Sequence, residues 1–390
     1  MTNCNRNIII LTEFYPSIKA PSHGIFIEYL ARELSKYYNI RIYHPRPFFL
    51  FKTKPVLKSE IEKKNKYEKE KYGISIIRPQ IPYIPIGDRI WIRTIFFAII
   101  SFFYVLKNRK SIDLVFGQMA CPAGFAAVII QKFFMIPAII TARGSDVNNY
   151  PILPVLKHFT DYAFNNATQV ITVANDLSNK LMSLYSQIRH PICIRNGVNH
   201  KIFNYRTKKS KFKNKIILFV GHLIPRKAIL ELIEAYSKMQ YLNKTKLLIV
   251  GNGELQNEVI HKINSLNLND DAILLGVKSH IEIAKLMNES TILCLPSYSE
   301  GTPNVVLEAL SCGLPVVATN VSGIPEIILE INIGTLVKPG DIHSLSKALD
   351  CAINKEWNRE YIAEYAKQFN WNITGTNYKL IIDRIINYEN

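Results

Sequence analysis

SEGTPNVVLEALSCGLPVV, residues Ser299 to Val317, sets two glutamates, Glu300 and Glu308, eight positions apart around an expected helix start. Tyr298-Ser299-Glu300-Gly301-Thr302-Pro303 is rich in turn formers and reads as a loop. Thr302 is expected as the N-cap, and Pro303 suits the first helical position, where its missing N–H costs nothing. The helix then reads Asn304 to Ser311, with Gly313 as its C-terminal stop. Asn304 and Glu308 are four apart and share a face. Glu300 lies in the loop before the positive end of this helix. Backbone N–H groups, a helix dipole and two carboxylates thus meet in a small space, which suits a ligand bearing anionic groups and hydroxyls. The plainer alternative, a buried helix whose glutamates face water, stays open on this stretch alone.

Working outward, 390 residues exceed one typical core, and two domains are expected. An apolar share of 48% with 20% charged residues marks a globular chain. The formal charge of +17 fits nucleic acid, an anionic membrane surface or acidic substrates and does not choose among them. Six scattered cysteines (Cys4, Cys121, Cys193, Cys294, Cys312, Cys351) form no C-x-x-C pair. They read as small core residues of a reducing compartment, with no disulfide framework or zinc site. Asn7 to Leu11 is too short for the apolar region of a secretion signal, so a cytoplasmic location is expected. Ile90 to Leu106 (IWIRTIFFAIISFFYVL) is strongly apolar yet short of the roughly 20 residues of a span. It reads as a helix packed on a sheet with one face near a membrane.

Short apolar runs alternate with helical patterns, the signature of parallel βαβ units. Strands are expected at Asn7–Leu11, Asn39–Tyr43, Ile74–Arg78, Leu114–Phe116, Ala138–Thr141, Gln169–Val173 and Cys193–Arg195. A helix is expected from about Ile25 to Ser35. A second set of strands follows at Ile216–Val220, Lys246–Val250, Ala272–Leu275, Thr291–Leu295 and Pro315–Ala318. Between the sets, residues 204–214 are basic and poor in apolar residues and read as a linker. Lys52 to Lys71 reads as a solvated helix or loop. The expected division is 1–203, linker 204–214, 215–370, and a C-terminal helix over 371–390 packing back on the first domain.

Ligands of open parallel sheets bind beyond the carboxyl ends of the strands, and the notable residues fall there repeatedly. Gly221-His222-Leu223-Ile224-Pro225-Arg226-Lys227 follows one strand and enters a helix. Cations at a helix N-terminus oppose its dipole, so they make sense with an anion between them; two surface cations are the alternative. Gly251-Asn252-Gly253-Glu254 forms a tight turn after the next strand, and the loop carrying Gly24 offers a bare backbone to a phosphate. Ala142-Arg143-Gly144-Ser145-Asp146 adds a cation and a carboxylate, or is a plain turn. The chain has no D-x-D, no H-E-x-x-H, no Walker-type loop and no G-x-S-x-G, so no metal site is expected.

Taken together, these elements resemble the retaining glycosyltransferases of the family-4 type, with the GT-B fold. Glu300 to Glu308 matches their E-x7-E element. The similarity extends through Gly313-Leu314-Pro315-Val316-Val317, Gly323-Ile324-Pro325-Glu326, Gly221 to Lys227, Gly251 to Glu254, Asn196-Gly197-Val198 and the Gly24 loop. Phe14-Tyr15-Pro16, Pro45-Arg46-Pro47 and Arg143 to Asn148 look most like the branch that builds bacterial surface polysaccharides, teichuronic-acid enzymes included. The resemblance implies an α/β chain of GT-B architecture, two doubly wound Rossmann-like domains with a cleft between them. It implies a nucleotide-diphospho-sugar donor held by the second domain, a saccharide or lipid-linked acceptor, no cofactor and no nucleic acid. Lys227 would bind the diphosphate, and the Gly24 loop would close over it. Glu300, with the backbone of Pro303 and Asn304, would hold the donor sugar, and Glu308 the ribose. Gly221, His222, Arg226, Gly251 and Gly301 complete the implied donor site. Arg143 joins Glu300 and Lys227 as a catalytic residue, with Asp146 on the acceptor side. Two positions depart from the family pattern. His222 stands where Arg is usual, leaving Arg226 to substitute, and Arg143 stands where His is frequent. A peripheral location at the inner face of the plasma membrane is expected. Two other functions fit parts of the pattern: a GT-B epimerase or phosphorylase, and a basic nucleic-acid-binding protein without recognition module.

Overall fold

Asn-Ile-Ile-Ile-Leu at residues 7–11 is almost wholly buried, as expected of a central parallel strand covered on both faces. A computed structural model describes residues 6–16, 23–48, 66, 68–69, 71–82, 90–185, 187–207 and 214–388. Cys4, most of Lys52 to Lys71 and most of the expected linker lie outside the described residues. The chain divides into two compact units, Met1–Arg195 with Trp371–Asn390, and Asn196–Asn370. It enters the second unit at Asn196, earlier than the expected residue 204, because Val198 and Phe203 pack into that unit's core.

In the first unit seven parallel strands lie in the spatial order Ser75–Ile77, Asn39–Tyr43, Asn7–Leu11, Leu114–Gln118, Ala138–Ala142, Gln169–Thr172, Ile192–Cys193. Ile8 pairs with Ile40 on one side and Leu114 on the other, so the order reverses beside the first strand. Such a reversal opens the crevice where doubly wound sheets bind ligands. Helix Trp371–Tyr388 belongs to this unit. Tyr38 Oη donates to Asp383 at 2.6 Å, and the buried hydroxyls of Tyr378 and Thr141 share a hydrogen bond of 3.1 Å. Asp146, in the short helix Ser145–Asn148 that follows Ala138–Ala142, is fully buried.

The second unit repeats the plan with six strands in the order Ala272–Gly276, Thr245–Val250, Lys215–Val220, Ile292–Leu295, Val316–Thr319, Gly334–Val337. Gly334–Val337 was not among the expected strands. Its reversal lies between Lys215–Val220 and Ile292–Leu295, where Ile217 pairs with Ile292 and Leu218 with Leu293. Helix Asn304–Ser311 packs its buried Val306, Leu307 and Leu310 against this sheet. Pro303, and not Thr302, is its N-cap residue, one position later than expected. Its carboxyl end closes on Gly313, with Leu314 N–H donating to the Ala309 carbonyl and Gly313 N–H to that of Leu310. Cys121, Cys294 and Cys312 are buried as expected of core residues, whereas Cys351 is exposed.

Candidate active site

The loops leaving Lys215–Val220 and Ile292–Leu295, the two strands flanking the second unit's reversal, are bound to each other. The first loop runs from Gly221 into a tight turn at Pro225–Lys227, and buried Leu223 anchors it to the core. Ala228 adopts φ 51°, which breaks the turn from helix Ile229–Ser237. The cations therefore sit on a turn just before the helix. Tyr298 N–H donates to the Arg226 carbonyl at 2.8 Å, and Arg226 Nη1 donates to the Ser299 carbonyl at 2.6 Å. At the centre, Lys227 Nζ donates to Glu300 Oε1 at 2.5 Å and Ser297 Oγ donates to the same oxygen at 2.6 Å. Arg226 Nη1 lies 3.5 Å from Glu300 Oε2. Glu300 is only 6% exposed and Ser297 fully buried, so this carboxylate is fixed in place by three donors. Thr319 Oγ1 donates to the Ser297 carbonyl, tying in the neighbouring strand.

Gly251 closes the floor of this region. Its φ is 137°, and a Cβ there would lie 1.8 Å from the Gly221 carbonyl oxygen. Only glycine lets the two strand-end loops approach this closely. Leu223 N–H then donates to the Asn252 carbonyl at 2.9 Å. His222 is exposed and makes no side-chain hydrogen bond among the described residues, while Arg226 converges on Glu300. Of these two basic side chains, Arg226 is the one that reaches Glu300.

Glu300 and Glu308 are not equivalent. Glu308 lies one turn beyond Asn304 on the same helix face, half-buried, and its carboxyl group makes no hydrogen bond or ion pair among the described residues. Burial pushes its carboxyl up to about 7, since the charged form loses hydration and gains no partner. Asn304 Oδ1 accepts from Asn196 Nδ2 at 2.9 Å, which orients the first side chain of the helix. The first N–H groups of the helix have no intrahelical acceptor and leave a positive end beside Gly301 and Pro303.

Gly24, Arg143 and Asp146 form a separate group at the carboxyl end of the first unit's sheet. Gly24 adopts φ 73° before helix Ile25–Leu34, and a Cβ would lie 2.6 Å from the Phe14 carbonyl. Its own loop thus already requires glycine. Arg143 donates through Nε and Nη2 to Gln118 Oε1 at 3.1 and 2.6 Å, and its guanidinium lies 4.0 Å from the Phe26 ring centre. Burial lowers it to about 10. Asp146 Oδ1 accepts from the N–H groups of Arg143 and Gly144, each at 2.9 Å, and Oδ2 from Ala120 at 3.1 Å. It is fully buried, and these bonds hold the backbone that carries Arg143.

Sequence reasoning passed over Ser297, Gln118 and Glu13. Ser297 stands three residues before Glu300, a spacing that could have flagged it. Glu13, in the loop after Asn7–Leu11, pairs with Arg93 at 2.7 Å, and burial pushes its carboxyl up to about 7 against the pull of Arg93. No group of three or more His, Cys, Asp or Glu side chains converges among the described residues.

Two doubly wound parallel sheets, one to each unit, are the elements of the GT-B fold. HepE of Anabaena, solved with UDP and glucose, has the same fold, with a TM-score of 0.74 and 17% identity over 97% of this chain and 100% of that one. Residues 202–369 match the family described as glycosyl transferases group 1. TuaC of Bacillus subtilis, named as a teichuronic acid biosynthesis glycosyltransferase, is 30% identical over 368 residues, 88% of each chain. The N,N'-diacetylbacillosaminyl-diphospho-undecaprenol alpha-1,3-N-acetylgalactosaminyltransferase of Campylobacter jejuni is 27% identical over 317 residues, 75% of this chain and 82% of that protein. The chain belongs to the group 1 glycosyl transferases.

Proposed function

We propose that this protein transfers a sugar from a nucleotide-diphospho-sugar to a hydroxyl of a saccharide or lipid-linked saccharide, retaining the anomeric configuration and needing no metal ion. Assembly of a cell-surface polysaccharide is the setting that its relatives' names suggest. The observation that carries this reading is the Lys227–Glu300–Ser297 arrangement beside Arg226 at the strand-order reversal. Lys227 and Arg226 would meet the diphosphate oxygens, aided by the positive end of helix Asn304–Ser311. As the bond from the sugar's anomeric carbon to phosphate breaks, its electron pair goes to the diphosphate, whose growing charge these groups stabilise. The acceptor hydroxyl bonds to that carbon from the same face, and its proton passes to the departing phosphate oxygen. Glu300, with the backbone of Pro303 and Asn304, holds the sugar hydroxyls, and unpartnered Glu308 accepts from the ribose. In the first unit, Asp146 and Gln118 fix Arg143, proposed as the cation that meets a reacting group at that sheet's end.

Incubation with a panel of nucleotide sugars and saccharide acceptors, followed by NMR of the new linkage, tests this reading. An α-linked donor should give an α-linked product, and turnover should survive excess chelator. An inverted product, or activity lost to chelator and restored by manganese, would contradict it.

A further inference from the structure

Helix Ile90–Asn108 has two unlike faces. Thr94, Phe97, Ala98, Ser101 and Val105 are buried against the first unit. The Thr94 hydroxyl reaches Cys121 Sγ at 3.1 Å, and Tyr43 Oη donates to the Ile100 carbonyl at 3.1 Å. Trp91, Ile95, Ile99, Phe103 and Leu106 are exposed, Phe103 by 56%. At about 100° per residue these five fall within about 120° of the helix circumference, one uninterrupted apolar stripe. Phe102 extends it to the next helix, its ring 5.4 Å from that of Phe133, itself 65% exposed and two residues before Met135, 83% exposed.

Cations stand at the stripe's end. Lys107, Arg109 and Lys110 are exposed and make no side-chain hydrogen bond or ion pair among the described residues. No Asp or Glu occurs from Ile90 to Ile112. The next acid, Asp113, is already held by Arg6 at 3.2 Å and by the Asn7 N–H at 2.6 Å. A protein partner suited to the apolar stripe need not be acidic, and a nucleic acid suited to the cations has no use for the stripe. An anionic lipid surface matches both at once.

We propose that this face docks on an anionic bilayer leaflet, the helix lying in the interface with its buried side still packed on the protein. By length and composition the helix could cross a membrane. Crossing would strip Phe97, Ala98 and Val105 from the core, whereas lying flat buries the exposed stripe and leaves the fold intact. Arg93, in the first turn of the helix, pairs with Glu13, which follows the first strand at the carboxyl end of the sheet. A saccharide carried on a lipid in that leaflet would thus be presented beside this sheet end. This last point rests on the proposed glycosyl transfer; the docking itself does not.

Co-sedimentation of the full chain with phosphatidylcholine vesicles, alone or with roughly 30% phosphatidylglycerol, tests the docking. At about 50 mM salt the wild type should pellet with the anionic vesicles and be largely released near 500 mM. Ile99→Gln with Phe103→Gln should weaken binding about tenfold or more at both salts. Lys107→Gln with Arg109→Gln and Lys110→Gln should abolish the preference for anionic vesicles. Both variants should keep the wild-type melting temperature and, with a soluble acceptor, its turnover. Wild type left in the supernatant at low salt overturns the docking while leaving the transfer reading intact. So does a dimer in sedimentation velocity that Ile99→Gln with Phe103→Gln converts to monomer, since the face then belongs to a second copy. Vesicle binding without transfer to any acceptor would overturn the functional reading and leave the docking standing.

Discussion

Lys227 Nζ and Glu300 Oε1 lie 2.5 Å apart, with side chains only 12% and 7% exposed. They stand 73 residues apart in the chain and are joined because their loops leave adjacent strands. At this distance and burial each group sets the other's orientation. A bound diphosphate would compete with Glu300 for the same ammonium, which would couple donor binding to the placement of the carboxylate proposed to face the sugar.

Glu300→Gln keeps an acceptor for Ser297 and Lys227 and removes the charge. Turnover should fall by about two to three orders of magnitude, with donor KM changed little, because the lost interaction strengthens as charge develops. Steady-state kinetics with a melting curve as fold control checks this. Wild-type turnover in a folded variant would remove Glu300 from the chemistry.

Glu308→Gln should act on binding instead. An interaction made equally with substrate and transition state affects KM alone, so donor KM should rise several-fold and kcat stay within about twofold. A variant with wild-type donor KM would leave Glu308 a plain helix residue.

The same substitution has a pH-dependent effect on stability. Burial raises the Glu308 carboxyl from 4.5 to about 7, so between these values the folded state holds more protons than the unfolded chain. This group's contribution therefore falls as pH rises through that window and levels off above it. Glu13 contributes with the same sign. Glu308→Gln should be more stable than wild type at pH 8 and equal to it near pH 4 in urea unfolding. A variant less stable at pH 8 would mean that the carboxylate has a partner.

Arg359 donates to the carbonyls of Gly313, Met287, Asn288, Ser290 and Cys312 at 3.0 to 3.3 Å. These lie at the carboxyl ends of helices His280–Glu289 and Asn304–Ser311. Arg359→Met keeps bulk and loses every donor, and should cost about 3 kcal/mol. Urea unfolding measures it, and a loss under about 0.5 kcal/mol would show that the carbonyls find other donors.

Much of this was readable in the sequence, for identifiable reasons. Buried runs such as Asn7–Leu11 and Lys215–Val220 are continuous and β-branched, so both central strands stand out. The helix Asn304–Ser311 announces itself by a turn before it and Gly313 after it. Gly334–Val337 did not, being four residues of mixed burial at a sheet edge. Thr302 misled because Pro303, with extended backbone (φ −72°, ψ 108°), holds the cap position itself instead of the first helical one. The role of Asp146 depends on burial and on a bond to the backbone of Ala120, 26 residues away, which one-dimensional spacing does not encode.

Calorimetric titration of UDP, GDP and ADP into the wild type and Lys227→Met tests the central assignment most directly. At least one nucleoside diphosphate should bind the wild type, and the variant should bind it about ten- to a hundredfold more weakly, the loss of one charge-assisted contact of roughly 1.5–3 kcal/mol. Equal affinity in the two proteins, or no binding by a folded wild type, would contradict a donor site built around Lys227 and Glu300.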